Sequence, residues 1–179
     1  MAEQAGTTKQ HFTQAAFDAL LTTDRLMAGT AADTGLVSPT EMYAYAVDAS
    51  HQPSPGLLDA LNTQAPVQAS FRRLLNNTAR YHLPQVAAAS SGDIEQRESE
   101  GCKIAFRPSR ANAAQIYVII ECIGDTSFNP AVLFVCAVDG TTNRMELPVA
   151  QNGRIQLLLE RESDMAKGLL DIKTEVYLK

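Results

Sequence analysis

Histidine and cysteine, the side chains that most often bind zinc or act as catalytic bases and nucleophiles, are few in this sequence. The three histidines, His11, His51 and His82, are spread over the first half of the chain, with no cysteine near any of them. A zinc site needs four ligands, which commonly come in close pairs. The sequence also lacks the G-x-G-x-x-G, Walker, G-x-S-x-G and H-E-x-x-H motifs. We therefore predict no enzymatic activity, no cofactor and no metal site.

The three cysteines, Cys102, Cys122 and Cys136, fall in segments that are predicted to be strands, and no two form a C-x-x-C pair. Cysteines in such segments are typically small buried apolar residues of a reducing compartment. A disulfide between two of them would require their strands to be adjacent in space. An odd number of cysteines argues against a disulfide framework.

Two charged positions stand out as candidates for binding. Glu121 interrupts an otherwise apolar strand, so it is either a titratable group in a pocket or a residue that faces water or pairs with Arg107 or Arg154. The turn Arg107-Pro-Ser-Arg110 can hold a carboxylate or a phosphate between two guanidinium groups. Its alternative role is a turn with two solvated arginines.

The first half of the chain is predicted to be helical. The clearest helix start is at Ser38-Pro-Thr-Glu41, where a serine N-cap precedes a proline and a glutamate that completes a capping box. Apolar residues at three- and four-residue spacing support further helices. The predicted helices are Lys9–Met27, Pro39–Ala49, a short helix from Pro55 through Leu61, and Ala65–His82. Together they form a predicted helical module over residues 1–83.

The stretch from residue 84 to residue 101 has a different composition. It contains the run Ala87-Ala-Ala-Ser-Ser-Gly-Asp93, which has no large apolar residue, and then the charged run Glu95-Gln-Arg-Glu-Ser-Glu100. Such a polar stretch is typical of a flexible or partly ordered domain boundary. A continuation of the last helix is the alternative.

Residues 102–179 are rich in predicted strands. The runs Gln115–Ile123 and Ala131–Val138 are apolar on both alternating faces, which predicts the buried middle of a β domain. Asp139-Gly140 and Asn152-Gly153 are strong hairpin signals, because glycine and asparagine tolerate positive φ. The other predicted strands are Cys102–Arg107, Asn143–Val149, Arg154–Glu160 and Ile172–Leu178, with a short helix from Ser163 through Leu170. We therefore predict an α+β fold with an N-terminal small helical module, a linker over residues 84–101, and a C-terminal antiparallel β-sandwich or open barrel over residues 102–179.

Charge is distributed unevenly along the chain. Residues 1–100 hold six Lys and Arg against eleven Asp and Glu, a net charge of −5, and residues 101–179 hold nine of each, a net charge of zero. Neither part has the basic stripe that nucleic-acid binders use to neutralise phosphates. No run approaches the ~18 apolar residues of a membrane span, and the N-terminus lacks the pattern of a secretory signal. We predict a cytoplasmic protein that binds neither nucleic acid nor membranes.

The segment from Ser38-Pro-Thr-Glu-Met-Tyr-Ala-Tyr to Phe71-Arg-Arg-Leu-Leu, within residues 38–83, resembles the small helical domain of bacterial anti-sigma factors. The order of parts is also similar: a short helical module, a polar linker, and a separate domain able to sense or dock. The zinc-binding His and Cys positions of that family have no counterpart in this sequence. The resemblance therefore implies a zinc-less version with a protein partner.

We interpret the chain as a non-enzymatic regulatory or adaptor protein that acts by occluding or tethering a protein partner. Its acidic, partly apolar helix faces would make the contacts, although core packing is the alternative role for Met42 and Phe71. The candidate contact residues are Met42, Tyr45, Phe71, Arg72 and Arg73. The alternative function is a small-molecule or carbohydrate-binding β module with a helical appendage, which predicts a pocket on the sandwich.

Overall fold

The computed structural model of this chain describes residues 37–86, 94–123 and 129–179. The chain divides into two units, Met1–Pro39 and Thr40–Lys179, and the second contains nearly all of the described residues. The predicted helix over Lys9–Met27 lies outside them. No helix in the described part of the chain combines the length and the apolar character needed to cross a membrane.

The described residues form four helices and eight strands. The helices are α1 (Pro39–Val47), α2 (Pro55–Thr63), α3 (Ala65–Thr78) and α4 (Asp164–Leu170). The strands are β1 (Tyr81–Leu83), β2 (Gln96–Ser99), β3 (Cys102–Pro108), β4 (Gln115–Cys122), β5 (Val132–Cys136), β6 (Thr142–Glu146), β7 (Arg154–Glu160) and β8 (Glu175–Leu178).

The starts of the helices follow local sequence signals. Ser54 caps α2, since its Oγ accepts a hydrogen bond of 3.2 Å from the Leu57 amide, and Pro55 occupies the first turn. Ser163 caps α4 in the same way through the Ala166 amide at 3.3 Å. The predictions of helices beginning at these positions are confirmed.

The end of α3 was predicted wrongly. The apolar periodicity predicted a helix as far as His82, but α3 ends at Thr78 and Tyr81–Leu83 is the strand β1. This strand pairs with β8, and the Arg80 amide donates to Leu178 O at 3.0 Å. Pairing with a distant strand overrides the local helical pattern.

The strands form two antiparallel sheets of four strands each. Sheet A has the order β1-β8-β5-β6, and sheet B has the order β2-β3-β4-β7. One hydrophobic core joins them, with Ile104, Val118 and Ile120 of sheet B and Leu133 and Val135 of sheet A among its members. The prediction of a mixed chain of helices and antiparallel strands is confirmed at this level. The described strands do not close into a barrel.

Part of the predicted linker is a strand. Within residues 84–101, which the composition predicted to be flexible or partly ordered, Gln96–Ser99 forms β2 and pairs with β3. Arg97 lies opposite Ile104 and therefore points to the same face, into the core. Exposed and buried positions therefore alternate within this run of charged and polar residues.

Among the described residues, Arg97 is the largest fully buried side chain, with only 1 % of its surface exposed. Its guanidinium donates to Leu169 O at 2.8 Å, Thr174 O at 2.9 Å, Thr174 Oγ1 at 2.9 Å, and Asp171 O. Burial lowers the pKa of Arg97 to about 10, and Asp171 partly opposes that shift. The hydrogen bonds offset the cost of burying the charge and fix the connection between α4 and β8 to sheet B.

The two long apolar runs lie in different sheets. β4 lies between β3 and β7 in sheet B, and β5 lies between β8 and β6 in sheet A. All five residues of β5 are buried. The prediction that these runs form the buried middle is confirmed for each sheet separately, and the core lies between them.

The two predicted turns have different outcomes. Asp139-Gly140 forms the hairpin between β5 and β6, with Gly140 at φ +95°. Asn152 at φ +54° and Gly153 at φ +73° also form a tight turn, closed by the bridge between Gln151 and Arg154. This second turn leads from β6 in sheet A to β7 in sheet B, so the predicted hairpin between these strands is wrong.

Helices α1 and α3 cover the face of sheet A that points away from the core. Tyr45 of α1, Phe71 of α3 and Phe134 of β5 form an aromatic cluster with ring centroids 5.6–5.9 Å apart. Such tilted and edge-to-face contacts are favourable beyond their buried area. Sheet A is consequently buried on both faces around β5.

Candidate functional site

A row of alternating charges crosses the face of sheet B that points away from the core. Glu98, Lys103, Glu121 and Arg154 lie opposite one another in β2, β3, β4 and β7. Residues directly opposite share a face, and opposite charges at such positions are mutually favourable. The row explains why a carboxylate interrupts the apolar pattern of β4.

The carboxylate of Glu121 forms an ion pair with Arg154, with 3.2 Å between Arg154 Nη2 and Glu121 Oε1. The Glu121 side chain is 42 % exposed. The predicted pair with an arginine such as Arg154 is confirmed, and Glu121 also lines a cavity, as the alternative prediction of a group in a pocket required. A pair this exposed contributes only about 0–1 kcal/mol to stability.

A cavity of about 470 Å³ lies beside this row, where β2 begins at Gln96 and the edge of β3 continues to Pro108. We call it the cationic cavity. Its charged lining residues are Lys103, Arg107, Arg154, Arg161, Glu95 and Glu121. Four cations against two carboxylates give its lining a net charge of +2, whereas the whole chain carries −5.

The rest of the cavity lining is partly apolar. Its larger apolar residues are Ile94, Phe106, Ile116, Ile119 and Leu170. A concave surface with apolar walls and a few converging polar groups is the usual form of a small-molecule site, and about 470 Å³ lies within the usual size range.

Two guanidinium groups in the cationic cavity have no partner within the described residues. Neither Arg107 nor Arg161 forms a side-chain ion pair or hydrogen bond there, and Arg154 is engaged with Glu121. A free guanidinium presents a planar set of donors that matches a carboxylate or a phosphate. Arg107 and Arg161 are therefore the residues best placed to bind an anion.

The turn Arg107-Pro-Ser-Arg110 does not bring its two arginines together in this cavity. The Ser109 amide donates to Gln115 O at 3.0 Å, and its Oγ accepts from the Asn112 amide at 3.3 Å, which fixes the turn. Arg107 lines the cationic cavity, whereas Arg110 is exposed and lies outside its lining. The sequence pattern identified Arg107 but gave no signal for Arg161, which follows β7.

The candidate contact residues on the helices have different environments. Tyr45 and Phe71 are buried in the aromatic cluster, and Arg144 lies over the Tyr45 ring at 5.0 Å. Met42 is half-buried and Arg73 is exposed. Partner binding by these residues stays a prediction. Of the five, Met42, Arg72 and Arg73 have side chains that are at least partly exposed and that a partner could contact.

Arg72 connects α3 to sheet A. Its Nη2 donates to Ala137 O at 2.5 Å, and its Nε lies 3.7 Å from Glu175 Oε2. The same carboxylate oxygen accepts from the hydroxyl of Tyr177 at 3.0 Å. Burial, with a smaller contribution from Glu175, raises the pKa of Tyr177 well above its usual value. These contacts hold the helix layer on sheet A.

A second cavity, of about 520 Å³, lies at one end of the sheets, and we call it the strand-end cavity. Its lining residues are Arg80, Tyr81, His82, Ser99, Glu100, Gly101 and Ile123. Its arginine and its glutamate balance in charge, so the lining does not favour an anion over a cation. It is the weaker candidate for a charged ligand.

Within the described residues, no group of three or more His, Cys, Asp and Glu side chains is arranged to hold a metal ion. The comparisons of this chain with protein-family models, with curated proteins and with solved structures give no match. The resemblance to anti-sigma factors therefore stays a prediction from the sequence.

Proposed function

We propose that this chain is a binding protein that takes a small organic anion in the cationic cavity. The observation that supports this function is the concentration of Lys103, Arg107, Arg154 and Arg161 around one concave, partly apolar surface of an otherwise acidic chain. Of the two functions that the sequence suggested, the small-molecule-binding β module accounts for such a cavity.

The lining also limits the class of ligand. Arg107 and Arg161 favour a carboxylate or phosphate head group. Apolar residues such as Phe106 and Ile119 favour an aliphatic or aromatic body. A neutral carbohydrate fits less well, because it would leave the guanidinium groups without a counter-charge.

Thermal unfolding with three ligands that share an eight-carbon chain tests this proposal. We expect octanoate to raise the melting temperature, while octanol and octylamine leave it nearly unchanged, because only octanoate offers a negative head group. At a ligand concentration about 100-fold above Kd, binding stabilises the native state by roughly 2.7 kcal/mol. Equal shifts with octanol and octanoate, or no shift with octanoate, would contradict the proposal.

A regulatory or adaptor function through a protein partner is the second candidate. The observation that favours it is that Arg73 is exposed on α3, near the partly exposed Arg72. Because Arg72 also holds α3 on sheet A, its substitution would mix loss of binding with loss of packing. Arg73→Glu is the cleaner test, with Asn77→Glu as the control one turn further along the same exposed helix surface.

Affinity capture of the tagged chain from its native cells provides the measurement. We expect a specific protein to be recovered with the wild-type chain and with Asn77→Glu, and to be lost with Arg73→Glu. Recovery of the same protein with all three chains would remove Arg73 from the interface.

A further inference from the structure

We infer that Cys102 and Cys122 are a modification site, at which a small-molecule disulfide oxidises the two thiols to a cross-strand disulfide. The two residues lie directly opposite each other in β3 and β4. Both are free and buried. They are neighbours in space because the antiparallel register brings together two residues that are twenty positions apart in the chain.

The hydrogen-bond pattern places the pair at the closer kind of cross-strand position. The Ile123 amide donates to Gly101 O at 2.8 Å, so the flanking pair Gly101 and Ile123 is hydrogen-bonded across β3 and β4. The Cys122 amide donates instead to Gly153 O, toward β7. Cys102 and Cys122 are therefore a non-hydrogen-bonded pair, for which the Cα separation is typically about 4.5 Å.

That separation lies within the range of about 4.4–6.8 Å that a disulfide bridges without movement of the backbone. The bond can therefore form with a rotation of the two side chains alone.

The two thiols differ in access and in acidity. Cys102 is fully buried, whereas Cys122 is 8 % exposed at the end of its strand. The neighbouring residues Gly101 and Ile123 line the strand-end cavity, which gives a small oxidant a route to this end of the pair. Burial raises the pKa of the Cys102 thiol to about 12, while a hydrogen bond from Cys102 partly offsets the burial that raises the pKa of Cys122.

The order of steps follows from this difference. Cys122 loses its proton to solvent, and its thiolate attacks one sulfur of the small disulfide, which releases one thiolate and leaves a mixed disulfide on Cys122. Cys102 then gives its proton to the thiolate released in the first step, and its own thiolate attacks the Cys122 sulfur of the mixed disulfide and displaces the second thiolate, which takes up a proton from solvent. Two electrons pass from the cysteine pair to the small disulfide, which leaves as two thiols.

Cys136 provides the control. It lies in sheet A opposite Thr142 and Glu175, and no cysteine faces it within the described residues. Its burial is comparable to that of Cys102, and burial raises its pKa as well. A difference in reactivity between these cysteines therefore reports the pairing and not burial alone.

The test treats the native full chain with 4,4′-dithiodipyridine, then alkylates the remaining thiols and maps the peptides by mass spectrometry. We expect two thiopyridones released per chain, a peptide pair linked through Cys102 and Cys122, and an alkylated Cys136. The Cys136→Ser variant should give the same link. Cys102→Ser should stop at a mixed disulfide on Cys122.

Three results would overturn the inference: a link that includes Cys136, links only between separate chains, or three free thiols for as long as the chain stays folded. The wild-type peptide map decides the matter even if a serine variant does not fold. Circular dichroism of the oxidised chain, together with recovery of the thiols by dithiothreitol, verifies that the bond forms in the native state and is reversible.

Discussion

Sheets A and B have the same number of strands but different surroundings. In sheet A, the inner strand β5 has no exposed residue, because the core covers one face and the helices cover the other. In sheet B, the face away from the core carries Lys103, Glu121 and Arg154 and borders the cationic cavity. Sheet A is therefore covered on both faces around β5, whereas sheet B has an open face that borders the proposed binding site.

Charged residues have different environments even within sheet B, to which both Arg97 of β2 and Arg107 of β3 belong. Arg97 is buried and satisfied by carbonyl and hydroxyl oxygens, so its charge serves packing. Arg107 and Arg161 lie at a cavity without a partner among the described residues, so their charges are available to a ligand. Identical side chains thus contribute to stability in one place and, under the proposed function, to ligand recognition in the other.

The largest expected effect comes from placing a charge in sheet A. Leu133→Asp should prevent folding of residues 40–179, because burying an unpaired carboxylate costs several kcal/mol or more against a total stability of roughly 5–15 kcal/mol. The matched control is Leu158→Asp in β7, where the side chain is 47 % exposed. Circular dichroism and chemical denaturation measure both, and similar unfolding curves for the two variants would show that the sheets do not differ as described.

Loss of the buried arginine should have the next largest effect. Arg97→Met removes the hydrogen bonds to Leu169 O and Thr174 O, and each buried group left unpaired costs about 1–3 kcal/mol. We therefore expect the free energy of unfolding to fall by about 2–6 kcal/mol in urea denaturation. Arg107→Met removes the same charge from the surface and should change stability by less than about 1 kcal/mol. A stable Arg97→Met variant would mean that the guanidinium does not organise the end of α4.

The smallest effect is expected at the ion pair on sheet B. Glu121→Gln should change the free energy of unfolding by less than about 1 kcal/mol, because the pair is exposed. It also releases Arg154 from a competing carboxylate, so the affinity for octanoate should increase, by up to about fivefold. Weaker binding by this variant would indicate that Glu121 contacts the ligand.

The alternation of apolar residues and the turn residues in the sequence were sufficient to predict most of the helices and strands. All six predicted strands form, because each is a run of apolar or alternating residues bounded by turn residues. β1 and β2 were not predicted, because both are short and their own residues show no clear strand pattern. β1 is stabilised by pairing with β8, which is distant in the chain, and β2 by pairing with β3, which follows it. The register that buries Arg97 depends on those partners and not on its own segment.

Only part of the candidate site could be predicted from the sequence. Glu121 and Arg107 were identified because each interrupts a pattern. Lys103 looked like an ordinary exposed residue of a half-buried strand, and Arg161 follows β7 without any motif. Their convergence depends on the order of strands in sheet B, which the turn at Asn152-Gly153 suggested incorrectly.

Calorimetric titration of octanoate into the native chain and two variants tests the central claim most directly. The double variant Arg107→Gln with Arg161→Gln removes both unpartnered guanidinium groups, and Arg110→Gln removes an exposed arginine from outside the cavity lining. A hydrogen bond to a charged group is worth about 1.5–3 kcal/mol, and about 1.4 kcal/mol corresponds to a tenfold change in Kd. We predict that the double variant binds at least tenfold more weakly than the wild type, while Arg110→Gln binds as the wild type does. Equal affinities for all three chains would contradict the assignment of the cationic cavity as the binding site.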